Sequence, residues 1–166
     1  MNYAAKYFKE KGGKIKRKVG VASADANHGN FRVWNETEPN FPKATVSSSS
    51  IPLVFPPQKW DDGVIAMDGG VIWMIDIETA ISRCQEVVDD ESQIIIDVIM
   101  CSAKGNLEKW ENTGSTLNNY LRFGEIQKFN DGSNDVIAAK QSHPKVNFRY
   151  YIEPTESIPG GLDLIN

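Results

Sequence analysis

Asp68 closes an apolar run, Val64-Ile65-Ala66-Met67, and is followed by Gly69 and Gly70. A carboxylate at the end of a strand is held in a fixed place. From there it can take a proton from a hydroxyl brought within hydrogen-bond reach. Glycines behind it let the backbone turn sharply and let a ligand come close. The triplet alone is a weak sign, because Asp61-Asp62-Gly63 and Asp131-Gly132 are Asp-Gly pairs too. Such pairs commonly serve turns.

The other reactive side chains lack partners at a useful spacing. His28 lies in the polar cluster Asp25–Asn30 and His143 precedes Pro144, so both read as structural or surface residues. No G-x-S-x-G occurs, and none of Ser47, Ser48, Ser49 or Ser50 has the flanking glycines of a nucleophile elbow. Helix capping and small-residue packing account for them. A phosphate-cradling loop, a dinucleotide fingerprint and H-E-x-x-H are all absent from the sequence. Cys84 and Cys101 stand without a CxxC pair or a histidine cluster and read as free buried thiols in a reducing compartment. Neither a metal nor a cofactor is expected.

A chain of 166 residues is one domain's worth, and 40% hydrophobic with 24% charged residues places it among ordinary globular proteins. It has neither an apolar run long enough to span a bilayer nor an apolar signal core after Met1, so a cytoplasmic location is expected. In residues 1–20, seven basic side chains face Glu10 alone, giving +6 and leaving −10 for the rest of a chain of net charge −4. The acidic remainder argues against nucleic acid. The basic end reads either as a solvated helix and loop or as a segment drawn to an anionic lipid surface.

These residues need elements to position them. Residues 3–11 suit a helix stopped by Gly12-Gly13. Lys18–Ala24 and Phe31–Trp34 read as a strand pair joined by a long turn. Lys43–Ser50 suits a short helix ended by Pro52, and Phe55-Pro56-Pro57 is rigid and extended. Asp76 is a candidate N-cap, with Ile77, Ala80, Ile81 and Cys84 at helical spacing behind it. Gln93–Cys101 is nearly continuously apolar, the pattern of a strand buried on both faces. Gly105–Gly114 reads as loop. A helix around Leu117–Ile126 is weakened at Gly124 and broken at Asp131-Gly132, and Val136–Lys140 resumes it. Val146–Ile152 is the last strand, and 153–166 is a tail. Alternating strands and helices give an α/β fold. The chain offers few helices to cover the strand at 93–101, so a missing half or a partner chain is expected there.

The setting of Asp68 is more specific than the triplet. Ser48-Ser49-Ser50-Ile51-Pro52-Leu53-Val54-Phe55-Pro56-Pro57, followed by Met67-Asp68-Gly69-Gly70-Val71, resembles the corresponding stretch of patatin-like phospholipases. The likeness extends from about residue 15 to about residue 152, with its core at 44–71. It implies that residues 1–152 are the C-terminal portion of a partial three-layer (α/β/α) domain with a mainly parallel or mixed central sheet. It also implies that Asp68 is the base of a Ser-Asp dyad acting on phospholipid-type esters, with Gly69 and Gly70 completing the motif. No histidine is required for this, and the substrate brings peripheral membrane contact with it.

Two departures stand out. Trp73-Met74-Ile75-Asp76 occupies the place where the family commonly carries Asn-Pro. The family's glycine-rich oxyanion loop and serine elbow are not in the sequence, and a chain without the serine cannot form an acyl-enzyme. The competing expectation is a non-catalytic relative serving as an interaction or structural module; an unrelated α/β binding domain is the third. Trp60 and Trp73 flank the aspartate segment, either as core packing or as aromatics meeting a lipid interface.

Overall fold

A computed structural model describes residues 15–101 and 115–155, together with Lys6, Lys9, Glu10, Gly12 and Gly13. The chain divides into two compact units, Met1–Val87 and Val88–Asn166, a boundary that falls inside the stretch 1–152 expected as one portion. The loop at 105–114 and most of the expected helix at 3–11 and tail at 153–166 lie outside the described residues.

The first unit is built on a four-stranded sheet in the order β2-β1-β4-β3, formed by β1 (Gly20–Asp25), β2 (Phe31–Asn35), β3 (Gln58–Lys59) and β4 (Ile65–Asp68). All of its pairings are antiparallel. The short connections within the β1–β2 and β3–β4 pairs favour this, since a parallel pair needs a long crossover. The turn between β1 and β2 is closed by its own polar residues. Asp25 Oδ1 accepts from the Asn27 N–H at 3.0 Å, and the Asp25 carbonyl accepts from the Gly29 N–H at 2.8 Å.

Alternation along β1 puts Val21, Ser23 and Asp25 on one face and Gly20, Ala22 and Ala24 on the other. Helix α1 (Phe41–Ser48) covers the first face, where Trp34, Ala44 and Ala66 form a buried core with Val21, Trp60 and Val64 around it. Trp34 and Trp60 stack at 4.6 Å between ring centroids, so Trp60 takes the packing role. Helix α2 (Ile77–Gln85) approaches the second face, since a Cβ on Gly20 would meet Thr79 Cγ2 at 2.7 Å. Pro42 suits the first turn of α1. Asp76 caps α2 as expected, accepting from the Thr79 N–H at 3.0 Å.

An ion-pair network ties α2 to the sheet. Arg83 forks onto Glu36, with Nη2 2.6 Å from Oε2, and also bonds Glu86, which Lys18 meets in turn. Glu36 further accepts from the Val19 N–H at 3.0 Å. That backbone bond, with Arg83 beside it, holds the Glu36 carboxyl down at about 2 against an ordinary 4.5. A carboxyl depressed in the folded state stabilises fully above its unfolded value and loses that contribution as pH falls through its folded one. Thermal unfolding of the first unit should therefore move to lower temperature between about pH 4.5 and 2. The variant Glu36→Gln should flatten part of that slope. Identical slopes in the two proteins would refute the assignment.

The second unit contains β5 (Ile95–Ile99), α3 (Thr116–Ser142) and β6 (Asn147–Ile152). Strands β5 and β6 pair in parallel, with a register shift between Ile96 and Asp97. Parallel pairing, expected for the central sheet, is confined to these two strands among the described residues. Strand β5 is not buried on both faces. Ile96 and Val98 are buried, whereas Ile95 and Asp97 are exposed and Ile99 is 70% exposed. Its apolar run thus alternates between a packed side and an open one.

Helix α3 runs unbroken through Gly124 and Asp131-Gly132, against the expected interruption. Gly132, Asp135, Val136 and Ala139 are buried along it, the i, i+3, i+4, i+7 spacing of a packed face. Tertiary packing of that face outweighs a propensity cost of about 1 kcal/mol per glycine. Val146, Ile94, Ile96 and Val98 are buried in the same unit.

Candidate functional site

Asp68 is the last residue of β4, as the apolar run before it indicated. Its N–H donates to the Ser50 carbonyl at 3.0 Å, so the chain leaving α1 forms the other wall of this strand end. Asp68 Oδ1 accepts from the Gly70 N–H at 2.7 Å, which aligns the carboxylate on its own turn. Residues Gly69–Val71 form one turn of 3₁₀-helix, closed by the Ile72 and Trp73 N–H groups on the Gly69 carbonyl at 3.0 and 3.1 Å.

The two glycines supply room rather than an unusual backbone. Positive φ occurs at Gly12, Gly13, Gly29 and Gly63 among the described glycines, not at Gly69 or Gly70. A Cβ on Gly69 would stand 2.7 Å from the Ala22 carbonyl oxygen, and one on Gly70 would stand 2.8 Å from Met74 Sδ and 3.0 Å from Asp68 Oδ1. The turn can lie on β1 only because position 69 has no side chain.

The expected site residues Asp68, Gly69 and Gly70 therefore form one unit. Ser23, Ser47, Ser49 and Ser50 do not join it as a nucleophile. Ser47 and Ser50 are buried, and their hydroxyls donate to the Lys43 and Val46 carbonyls at 2.9 and 2.8 Å. Ser49 bonds the Thr45 carbonyl at 3.1 Å. Ser47, Ser49 and Ser50 thus bond back to carbonyls three or four residues earlier in the chain. Ser23 sits opposite Asp68 on β1 but is 0% exposed, out of reach of a substrate. No pattern in the sequence points to it, because only the register of β1 against β4 brings it to Asp68.

Both histidines have structural partners. His28 Nδ1 lies 2.8 Å from Asp25 Oδ2, and His143 Nδ1 lies 2.9 Å from Glu91 Oε1. The His28 bond and the Asn27 N–H hold the Asp25 carboxyl below its usual range. Of the cysteines, Cys84 is half-buried and Cys101 is exposed, so the expected burial does not hold for Cys101, which follows the end of β5. No group of three His, Cys, Asp or Glu among the described residues could hold a metal ion.

Two apolar stretches near Asp68, one after Ser50 and one after the glycines, are uncovered. Ile51, Leu53 and Phe55 follow the Ser50 carbonyl that holds Asp68, and Val71, Trp73 and Met74 follow its glycines; all six are exposed. Leu53 is 87% exposed and has φ 72°, an uncommon left-handed backbone for a residue with a side chain. The sequence pointed to Trp73 here but not to Leu53. No helix among the described residues is long and apolar enough to cross a membrane.

No family model matches this chain, and neither does any curated protein.

Proposed function

We propose that this chain supplies the aspartate base of a Ser-Asp dyad in a patatin-like lipid acyl hydrolase, with the nucleophilic serine coming from outside these 166 residues. The carrying observation is Asp68 itself. It ends a strand, the Gly70 N–H grips Oδ1 at 2.7 Å, and exposed apolar residues follow its glycines and the Ser50 carbonyl that its N–H meets. The placement of α1 and α2 toward opposite faces of the sheet supports the three-layer patatin-like architecture.

In this reading Asp68 accepts the proton of the serine hydroxyl as its oxygen attacks the ester carbonyl. The alcohol leaves with a proton, the acyl group stays on the serine, and water releases it as a fatty acid. Leu53, Phe55, Val71 and Trp73 would meet the acyl chains, at the surface of a cytoplasmic membrane leaflet. A non-catalytic interaction module is the second reading. It is favoured by Ser47, Ser49 and Ser50, whose hydroxyls bond backbone carbonyls, and by Ser23, which is buried away from substrate.

The two readings separate on the gene product. The transcript is read upstream of Met1 for a G-x-S-x-G, and the encoded protein and the 166-residue chain are each treated with a fluorescent alkyl phosphonate. The hydrolase reading expects labelling at the upstream serine and none on the 166-residue chain. A transcript without that serine, or a label on any residue of 1–166, would sink it.

A further inference from the structure

Ser23 lies in the middle of β1. It is fully buried, and its Oγ has no hydrogen-bond partner. A buried hydroxyl without a partner is costly and calls for a reason. Its neighbour across the sheet is Asp68.

The register makes the two side chains close. The Ala26 N–H donates to the Ile65 carbonyl, while the Asp68 N–H points away from β1 to Ser50. Counting along the antiparallel ladder, Ser23 and Asp68 are a non-hydrogen-bonded pair. Such pairs bring their Cα atoms to about 4.5 Å and their side chains together on one face. Arg32 continues the row on β2, but its guanidinium is bonded to Asp62. The buried hydroxyls of Ser47, in α1, and Ser50, just after it, already donate to carbonyls. Gly69 lies against Ala22 and Ser23, its Cβ position 3.4 Å from Ser23 Cα, so the turn of the motif packs over this residue.

We infer that Ser23 is a positioning residue for Asp68, donating its hydroxyl to the carboxylate oxygen that Gly70 does not hold. The inference rests on the dyad reading for its purpose, but not for its geometry. A rotation about one side-chain bond between staggered wells redirects the hydroxyl, and an ionised carboxylate is the stronger class of acceptor. Donors on both oxygens would fix the plane of the carboxylate. A remaining lone pair would then face an incoming serine hydroxyl.

The test uses the 166-residue chain, which needs no nucleophile for it. The ¹³Cγ resonance of Asp68 and the hydrogen exchange of the Gly70 amide are compared in the wild type, Ser23→Ala and Ser23→Thr. Loss of the donor should move the Asp68 resonance and speed Gly70 exchange about tenfold, the scale of one hydrogen bond to a charged group. Ser23→Thr should restore both. The Asp68 amide, bonded to Ser50, should keep its rate in every variant. An unmoved resonance with unchanged Gly70 exchange in Ser23→Ala would overturn the inference. So would parallel acceleration at the Asp68 amide, which would mark general loosening. Either failure leaves the phosphonate experiment untouched, so the positioning role and the dyad can fail separately.

Discussion

Asp68→Asn, in a protein that also supplies the serine, is expected to lower ester hydrolysis by about 10²–10⁴-fold. The substitution removes the proton acceptor and little else. An asparagine carbonyl can still accept from the Gly70 N–H where Oδ1 does now. The backbone bond from position 68 to Ser50 is also retained. Thermal unfolding of the first unit should therefore change little while turnover collapses. The loss should fall on kcat with KM nearly unchanged, because the group acts on the serine hydroxyl rather than on the lipid. Hydrolysis of a short-chain ester and a melt of the same sample check both halves. Turnover at the wild-type rate would remove Asp68 from the chemistry. A large drop in melting temperature would recast it as a structural residue.

Local order was legible in the sequence where one period or one cap dominated. The Asp76 cap and the run into Asp68 each follow from a few neighbouring residues, and each stands where those residues put it, whereas β1, read over Lys18–Ala24, runs from Gly20 to Asp25. The reading failed where distant packing decides. In α3, Gly124 and Asp131-Gly132 look like breaks, but buried Val136 and Ala139 anchor one continuous helix. In β5 a nearly continuous apolar run cannot say which faces find cover, and here one side stays open. The site divides in the same way. Asp68, Gly69 and Gly70 are contiguous and were visible. Ser23 lies 45 positions before Asp68 and joins it only through strand register. Leu53 is set apart by its backbone angle, which a side-chain pattern does not encode.

Gly69→Ala tests whether the motif is a built part of the fold. The added methyl carbon would stand 2.7 Å from the Ala22 oxygen, 3.1 Å from its carbonyl carbon and 3.4 Å from Ser23 Cα. All three are backbone atoms of β1, which is paired on one side with β2 and on the other with β4. A flexible side chain could swing away, but a strand held on both sides cannot. The turn must lift instead, which strains the Gly70 N–H bond to Asp68 and the packing over Ser23. Overpacking of this kind costs about 1–3 kcal/mol, and the rigid surroundings place this case near 3. Gly70→Ala is the internal comparison, because its closest contact is Met74 Sδ, the end of a side chain that can move. Three of the four tryptophans, Trp34, Trp60 and Trp73, lie in the first unit, so their emission reports its urea unfolding. The expected result is a clear fall in midpoint for Gly69→Ala and a smaller one for Gly70→Ala. Equal midpoints for Gly69→Ala and wild type would mean that the turn does not need its seat on β1. The carboxylate would then owe its position to the Ser50 and Gly70 bonds alone.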